Sequence, residues 1–101
     1  MAVKVITTKR IKEGKTHDAL ALLKQFRFQA YEQPGYITGE ELIGYTDPQK
    51  IVVINMWHDI ENWNRWKACE GRKEIEINME PLLSSPTVHE VFLLGTNIIH
   101  E

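Results

Sequence analysis

An asparagine and a tryptophan four residues apart are the side chains of this sequence whose types and spacing best suit chemistry. Asn62 and Trp66 lie in the segment 57–66, which contains all three tryptophans of the chain. Residues four apart on a helix are neighbours on its surface. A carboxamide and an indole N–H side by side could orient a polar group on an aromatic ligand. The alternative is that the tryptophans only fill the core, because tryptophan is mostly buried in proteins.

The segment that carries this pair is predicted to be a strand followed directly by a helix. Residues 51–56 form a short, β-branched, apolar run, which is typical of a strand. Asp59 is the predicted N-cap, because its carboxylate can accept from the free N–H groups of the first turn. The helix is predicted from about Ile60 to Ala68. It therefore begins at the end of the strand, which places the face with Asn62 and Trp66 over the sheet.

The rest of the sequence predicts three further strands and two further helical segments. The strands are predicted at residues 3–10, 36–46 and 87–94, and the helical segments at 16–33, with Thr16 as N-cap, and 72–83. Glycine inside a strand often marks a bulge or the close approach of another group, so one or the other is expected at Gly39 and Gly44. The order is strand, helix, strand, strand, broken helix, strand. It predicts an α+β fold, the ferredoxin-like split βαβ arrangement, with an antiparallel sheet backed by helices on one face.

The third predicted strand is apolar on both faces, since Val52 and Ile54 alternate with Ile51 and Val53. A strand that is apolar on both faces is covered on both. The helices of one chain can cover only one face, so a homodimer is predicted. An apolar tail, Ile98-Ile99, is expected to dock on the partner subunit, with fraying in solvent as the alternative.

Length and composition exclude several classes of protein. The 101 residues predict one domain, 1–101, and a net charge of −2 with a pI of about 6.1 gives no indication of nucleic-acid binding. No apolar run approaches the roughly 20 residues that span a bilayer. The absence of a visible signal peptide and the lone cysteine, Cys69, favour a cytoplasmic location. The histidines lack metal-ligand spacing, so no metal site is expected.

Five further residues are candidates for binding a substrate, each with a simpler alternative. Trp63 shares a helical face with the N-cap Asp59, and Tyr36 begins the second strand. His58 titrates in the range of a base, although an exposed turn histidine is the alternative. Arg72 is either a pocket group or a solvated arginine on a charged helix. Phe28 points away from the apolar face of the first helix, as a pocket contact, a partner contact or an exposed side chain.

These residues resemble the antibiotic biosynthesis monooxygenase domain family, within the dimeric α/β-barrel group. The resemblance covers nearly all of the chain. It is carried by Gln-Pro-Gly-Tyr-Ile-Thr-Gly-Glu at 33–40, Asp47-Pro48, Trp-His-Asp-Ile-Glu-Asn-Trp at 57–63, Trp66, and Pro-Thr-Val-His-Glu-Val at 86–91. The resemblance implies a homodimer whose two sheets pack face to face into a barrel. It also implies a ligand pocket between the sheet and the helices of each subunit.

The resemblance further implies an activity and assigns it to particular residues. In the quinone-forming members an asparagine and a tryptophan four residues apart line the pocket, and Asn62 and Trp66 match them. The implied function is a cofactor-independent monooxygenase acting on a small aromatic or quinol-like substrate, without a metal. The haem-degrading members have a histidine ten residues after the tryptophan. This chain has Glu76 there, so haem degradation is not expected. The alternative is a non-catalytic homodimer of the same fold that binds a small apolar ligand or has a structural role.

Overall fold

A four-stranded antiparallel sheet is the centre of the structure, a computed structural model that describes residues 1–94. The strands are β1 (Val3–Arg10), β2 (Tyr36–Ile43), β3 (Lys50–Trp57) and β4 (Val88–Leu93), in the order β2-β3-β1-β4. This order places the first and third strands at the centre of the sheet. The predicted α+β, ferredoxin-like fold is confirmed.

The helices all pack on one face of this sheet. They are α1 (Thr16–Tyr31), α2 (Ile60–Ala68) and α3 (Glu70–Met79), followed by a 3₁₀ turn, Glu80–Leu82. The Asp59 cap is confirmed, because the Asn62 N–H donates to its Oδ1 at 3.1 Å. The predicted cap at Thr16 is wrong: Thr16 is the first helical residue, and Lys15 precedes it without a side-chain cap bond.

Three predicted boundaries need correction. The first helix ends at Tyr31 and not at Gln33, because its last N–H groups bond three residues back and tighten the final turn. The third helix begins at Glu70, since only one extended residue separates it from α2. The second strand ends at Ile43, where the hairpin closes with a bond from the Gly44 N–H to the Lys50 carbonyl.

Side chains of β1 alternate between the two faces of the sheet. Val3, Val5, Thr7 and Lys9 are all buried beneath the helices, as the period of two requires. Apolar side chains on this face form two core clusters, one around Trp57, Trp63 and Trp66 and the other around Ile11, Leu23, Ile51 and Met79. Phe26 of α1 packs against both. The mid-strand positions between the clusters are therefore the ones left unfilled by apolar packing.

The centre of the opposite face of the sheet is apolar and lies on the outside of the described chain. Ile6, Val52, Ile54 and Met56 are half-buried there by their neighbours in the sheet, and no element of residues 1–94 packs over them. Within that range no helix is long and apolar enough to cross a membrane. The tail Ile98-Ile99 falls outside the described residues.

Candidate active site

A cavity of about 90 Å³ lies between the sheet and the three helices. It occupies the gap between the two core clusters, where Thr7, Val53 and Asn55 face the helices from mid-strand. Three polar or charged residues are buried in the described chain, namely Thr7, Lys9 and Arg72 with exposures of 7%, 2% and 9%, and all three line this cavity. Buried polar side chains cost free energy unless they have partners. Their convergence on one space makes it the candidate site.

Two tryptophans of α2 form one wall of the cavity. Trp63 and Trp66 are each 3% exposed and both line it. Trp57 supports them from β3: its ring stacks on Trp66 with centroids 6.3 Å apart, and its indole N–H donates to Asn55 Oδ1 at 3.1 Å. Trp63 and Trp66 therefore belong to the hydrophobic core and also line the cavity, so each of the two interpretations describes part of their environment.

Tyr36 closes a second side of the cavity, over the backbone of β2. A side chain at Gly39 would place its Cβ only 2.4 Å from the Tyr36 hydroxyl oxygen, so glycine is required for the ring to lie there. The close approach predicted at Gly39 is thereby confirmed. Burial raises the pKa of Tyr36, which keeps the phenol protonated at neutral pH. Its ring packs edge-on against Trp57 at 5.3 Å.

Asn62 lies beside this site and not in its lining. Its side chain rests against Gly35, in the turn that follows α1, where an added Cβ would come within 2.1 Å of the amide carbon. Asn62 Oδ1 is buried and has no hydrogen-bond partner among residues 1–94. Unpaired buried polar atoms are uncommon in native proteins and call for an explanation.

Of the remaining predicted residues, the structure brings one into the site and leaves two outside it. Arg72 lines the cavity, so the solvated alternative for it is wrong. His58 is exposed, and its backbone N–H donates to the Gly35 carbonyl at 2.7 Å. Phe28 is 60% exposed beside Lys24, and neither it nor His58 lines the cavity.

Buried charges at the inner end of the cavity were not identified from the sequence. Lys9 Nζ donates to Glu76 Oε1 at 3.4 Å and to Thr87 Oγ1 at 3.1 Å. Arg72 reaches the same Glu76 oxygen at 3.5 Å. Burial lowers the pKa of Lys9 and of Arg72, and Glu76 offsets part of this effect for each. One clue was available: Lys9 shares the odd-numbered face of β1 with Val3 and Val5.

His89 is a further cavity residue that the sequence analysis passed over. It pairs with Thr7 across β1 and β4, and its ring Nδ1 lies 2.7 Å from Thr7 Oγ1. The residue as a whole is exposed, but its ring lies edge-on to Trp63 at 5.3 Å. Burial, together with repulsion by Arg72 and Lys9, lowers the pKa of His89 to about 4. The imidazole is therefore neutral at pH 7 and can act as donor or acceptor.

The cavity thus combines flat aromatic walls with N–H and O–H groups at one end. Such a site can hold a planar ring and stabilise negative charge that develops on its oxygen atoms. Within residues 1–94, no group of three His, Cys, Asp or Glu side chains is placed to hold a metal ion.

Comparison with known proteins places the chain in a family. The family model described as antibiotic biosynthesis monooxygenase matches residues 2–75. Comparison with curated proteins finds no match. Three solved structures are similar to this one. For each, the numbers in parentheses give the sequence identity, the TM-score, the share of this chain that is covered and the share of the other chain that is covered. The three structures are a conserved protein from Methanosarcina mazei Go1 (17%, 0.86, 91% and 91%), the cofactor-independent oxygenase SnoaB from Streptomyces nogalater (17%, 0.84, 92% and 92%) and a protein from Mycobacterium tuberculosis (13%, 0.85, 93% and 95%).

At these identities the solved structures establish the fold, while the family model matches more than half of the chain. The protein belongs to the antibiotic biosynthesis monooxygenase family.

Proposed function

We propose that this protein is a cofactor-independent monooxygenase that converts a small phenol or quinol-like substrate into a quinone within the cavity. The observation that carries the proposal is the position of Trp66. Its ring is almost fully buried, yet it borders open space next to Arg72 and Tyr36. A tryptophan needed only for packing would be enclosed by other side chains. The related fold of SnoaB, described as a cofactor-independent oxygenase, supports the same interpretation.

The reaction needs little from the protein beyond a suitable environment. Dioxygen has a triplet ground state and reacts poorly with closed-shell molecules, but an ionised phenol is electron-rich enough to give it one electron. The resulting radicals combine at a ring carbon, and the peroxide formed loses water. Overall, a phenol and one dioxygen yield a quinone and one water. The protein must exclude bulk water and supply donors to the anionic oxygen.

Particular side chains are assigned to these tasks. The indole N–H of Trp66 donates to the substrate oxygen, and the rings of Trp63 and Tyr36 hold the substrate plane. Asn62 is kept in the proposal because its buried carboxamide oxygen is unpaired within residues 1–94, one helical turn from Trp66. In this role the Asn62 side chain, which does not line the cavity as it stands, turns from Gly35 toward the cavity, where a substrate hydroxyl supplies the missing donor. The unit is residues 1–101 acting as a homodimer, since the centre of the outer face of the sheet is apolar.

Oxygen consumption with a panel of catechols and dihydroxynaphthalenes, together with quinone absorbance, tests the proposal. Trp66→Phe keeps a ring but removes the N–H donor, and it should lower turnover about a hundredfold, as loss of one oxyanion donor does. Tyr45→Phe, at a fully exposed residue, is the control and should turn over normally. Equal turnover by Trp66→Phe and the wild type, or no protein-dependent oxidation of any panel member, would overturn the proposal.

A further inference from the structure

The inner end of the cavity contains more positive than negative charge. Lys9 and Arg72 are both buried there, and both contact the same oxygen of one carboxylate, Glu76 Oε1. Two cations and one anion leave an excess of one positive charge. Burying an unbalanced charge is costly, because water is no longer available to solvate it.

The other charged groups around the cavity do not cancel this excess. Arg27 and Glu41 form an ion pair with each other near the rim. Glu40 is exposed and pairs with Ile54, which belongs to the opposite face of the sheet. His89 is neutral, because burial and the repulsion of Arg72 and Lys9 lower its pKa to about 4. The excess charge therefore belongs to the Lys9–Arg72 pair alone.

The guanidinium of Arg72 lies among three aromatic rings. Its central carbon lies 5.9 Å from the ring centre of Phe26, 5.7 Å from that of Trp63 and 6.0 Å from that of Trp66. Cations are attracted to such ring faces, and a planar guanidinium also stacks on them. Arg72 is thus oriented before any ligand arrives, so little conformational entropy is lost when it binds one.

Both cations retain donors beyond those engaged within residues 1–94. Lys9 has three N–H groups, of which Glu76 and Thr87 take two. Arg72 has five, and its Glu76 contact is made through one terminal nitrogen. Two N–H donors of a guanidinium match the two oxygens of a carboxylate. Glu76 engages the two cations through a single oxygen, Oε1, which leaves donors for a second carboxylate.

We infer that the cavity binds an aromatic carboxylate, with the ring between the tryptophan and tyrosine walls and the carboxylate on Lys9 and Arg72. The inference rests on the proposed function in that it names the substrate class of the same cavity. A ligand carboxylate would neutralise the excess charge that the folded chain holds there. Neutral aromatic ligands of the same shape would leave that charge unbalanced and would bind more weakly.

Calorimetric titration with salicylate and with salicylamide at pH 7 tests the inference without requiring turnover. The two molecules have nearly the same shape and differ in charge. Salicylate should bind at least tenfold more tightly. In Lys9→Met, a near-isosteric change that removes the buried charge, the preference should fall several-fold. Lys24→Met, at an exposed lysine of α1, should retain it. Arg72→Lys keeps the charge but loses the paired donors, so it should weaken salicylate binding and leave salicylamide unaffected.

Several results would overturn the inference. These are equal affinity for the two ligands, an undiminished preference in a folded Lys9→Met protein, or no saturable binding of salicylate at millimolar concentration. Circular dichroism of each variant establishes that it is folded. If salicylate binds as expected but no panel substrate is oxidised, the inference stands and the oxygenase proposal fails. If neutral phenols are oxidised but salicylate binds no more tightly than salicylamide, the oxygenase proposal stands and the inference fails.

Discussion

The backbone of Gly35 supports the side chain of Asn62. Gly35 has φ +82°, a left-handed conformation that glycine adopts without steric cost, and a Cβ at this position would lie within 2.1–2.5 Å of the atoms of the Asn62 amide group. Glycine is therefore needed at position 35 for two reasons: the backbone turn has a positive φ, and the Asn62 side chain leaves no space for a Cβ. The turn after α1 and the first turns of α2 are joined through this contact.

Gly35→Ala should destabilise the protein by about 2–3 kcal/mol, because it combines backbone strain with a clash against a buried side chain. Gly14 provides a matched control: its φ is +79°, but nothing lies within 4 Å of an added Cβ. Gly14→Ala should therefore show only the backbone cost, about 1 kcal/mol. Urea denaturation measures both. Equal losses at the two positions, or an excess at Gly35 that survives in the Asn62→Ala background, would contradict the contact.

Asn62→Ala should leave stability unchanged or slightly raised while lowering turnover on the oxidised panel substrates. An unpaired buried oxygen costs free energy in the folded state, so its removal relieves that cost. A residue that is retained for function at a cost in stability shows this pattern: its removal lowers activity and does not lower stability. The measurement pairs urea denaturation with oxygen consumption. A clear loss of stability with full turnover would show that Asn62 is structural.

Local signals accounted for the elements that the sequence predicted well. The β-branched run of β3, Asp59 at the start of α2 and the apolar spacing of α1 each act within a few residues. A helix cap or strand alternation depends on such short-range physics. For this reason the split βαβ order and the position of Trp66 over the sheet could be predicted from the sequence.

The charged end of the cavity depends on contacts distant in the sequence. Lys9 comes from β1, Arg72 and Glu76 come from α3, and they meet only because the chain breaks at Cys69 and turns α3 toward the sheet. His89 enters the site through the register of β4 against β1. Neither the turn at Cys69 nor that register has a local sequence signature. The sequence predicts that Asn62 lines the cavity together with Trp66, whereas in the structure its side chain rests against Gly35 and does not line the cavity.

Glu76→Gln should destabilise the protein by about 1–3 kcal/mol. The change removes the one carboxylate that Lys9 and Arg72 share, and hydrogen bonds to charged groups contribute about this much. Glu74→Gln, on the exposed side of the same helix, is the control and should stay within about 0.5 kcal/mol of the wild type. Chemical denaturation at pH 7 distinguishes the two. Equal stability of both variants would mean that the shared carboxylate does not balance the buried cations.

The protein should be a homodimer in solution, held by the outer face of the sheet. Sedimentation should give twice the chain mass of 11.8 kDa. Ile54→Glu places a charge on that face and should yield monomers, because a charge buried in an interface without a partner is costly. Ile77→Glu changes an isoleucine of α3 that is 68% exposed, and it should remain dimeric. A wild-type monomer at micromolar concentration would exclude this interface.

Stability should fall in mildly acidic solution through the protonation of His89. The folded-state pKa of this histidine is lowered to about 4, against 6.5 for an unperturbed side chain. Between pH 6.5 and pH 4 the unfolded chain therefore binds a proton at this histidine that the folded chain does not bind. The free energy of unfolding declines as the pH falls through that range. Well above pH 6.5 the imidazole is neutral in both states, so His89 has no effect on stability there. His89→Gln should remove this part of the pH dependence, whereas His17→Gln, at an exposed position of α1, should preserve it. Urea denaturation at pH 7 and pH 5 measures the difference. An NMR titration of the His89 ring with a midpoint near 6.5 would show that the imidazole is not shielded by the cavity.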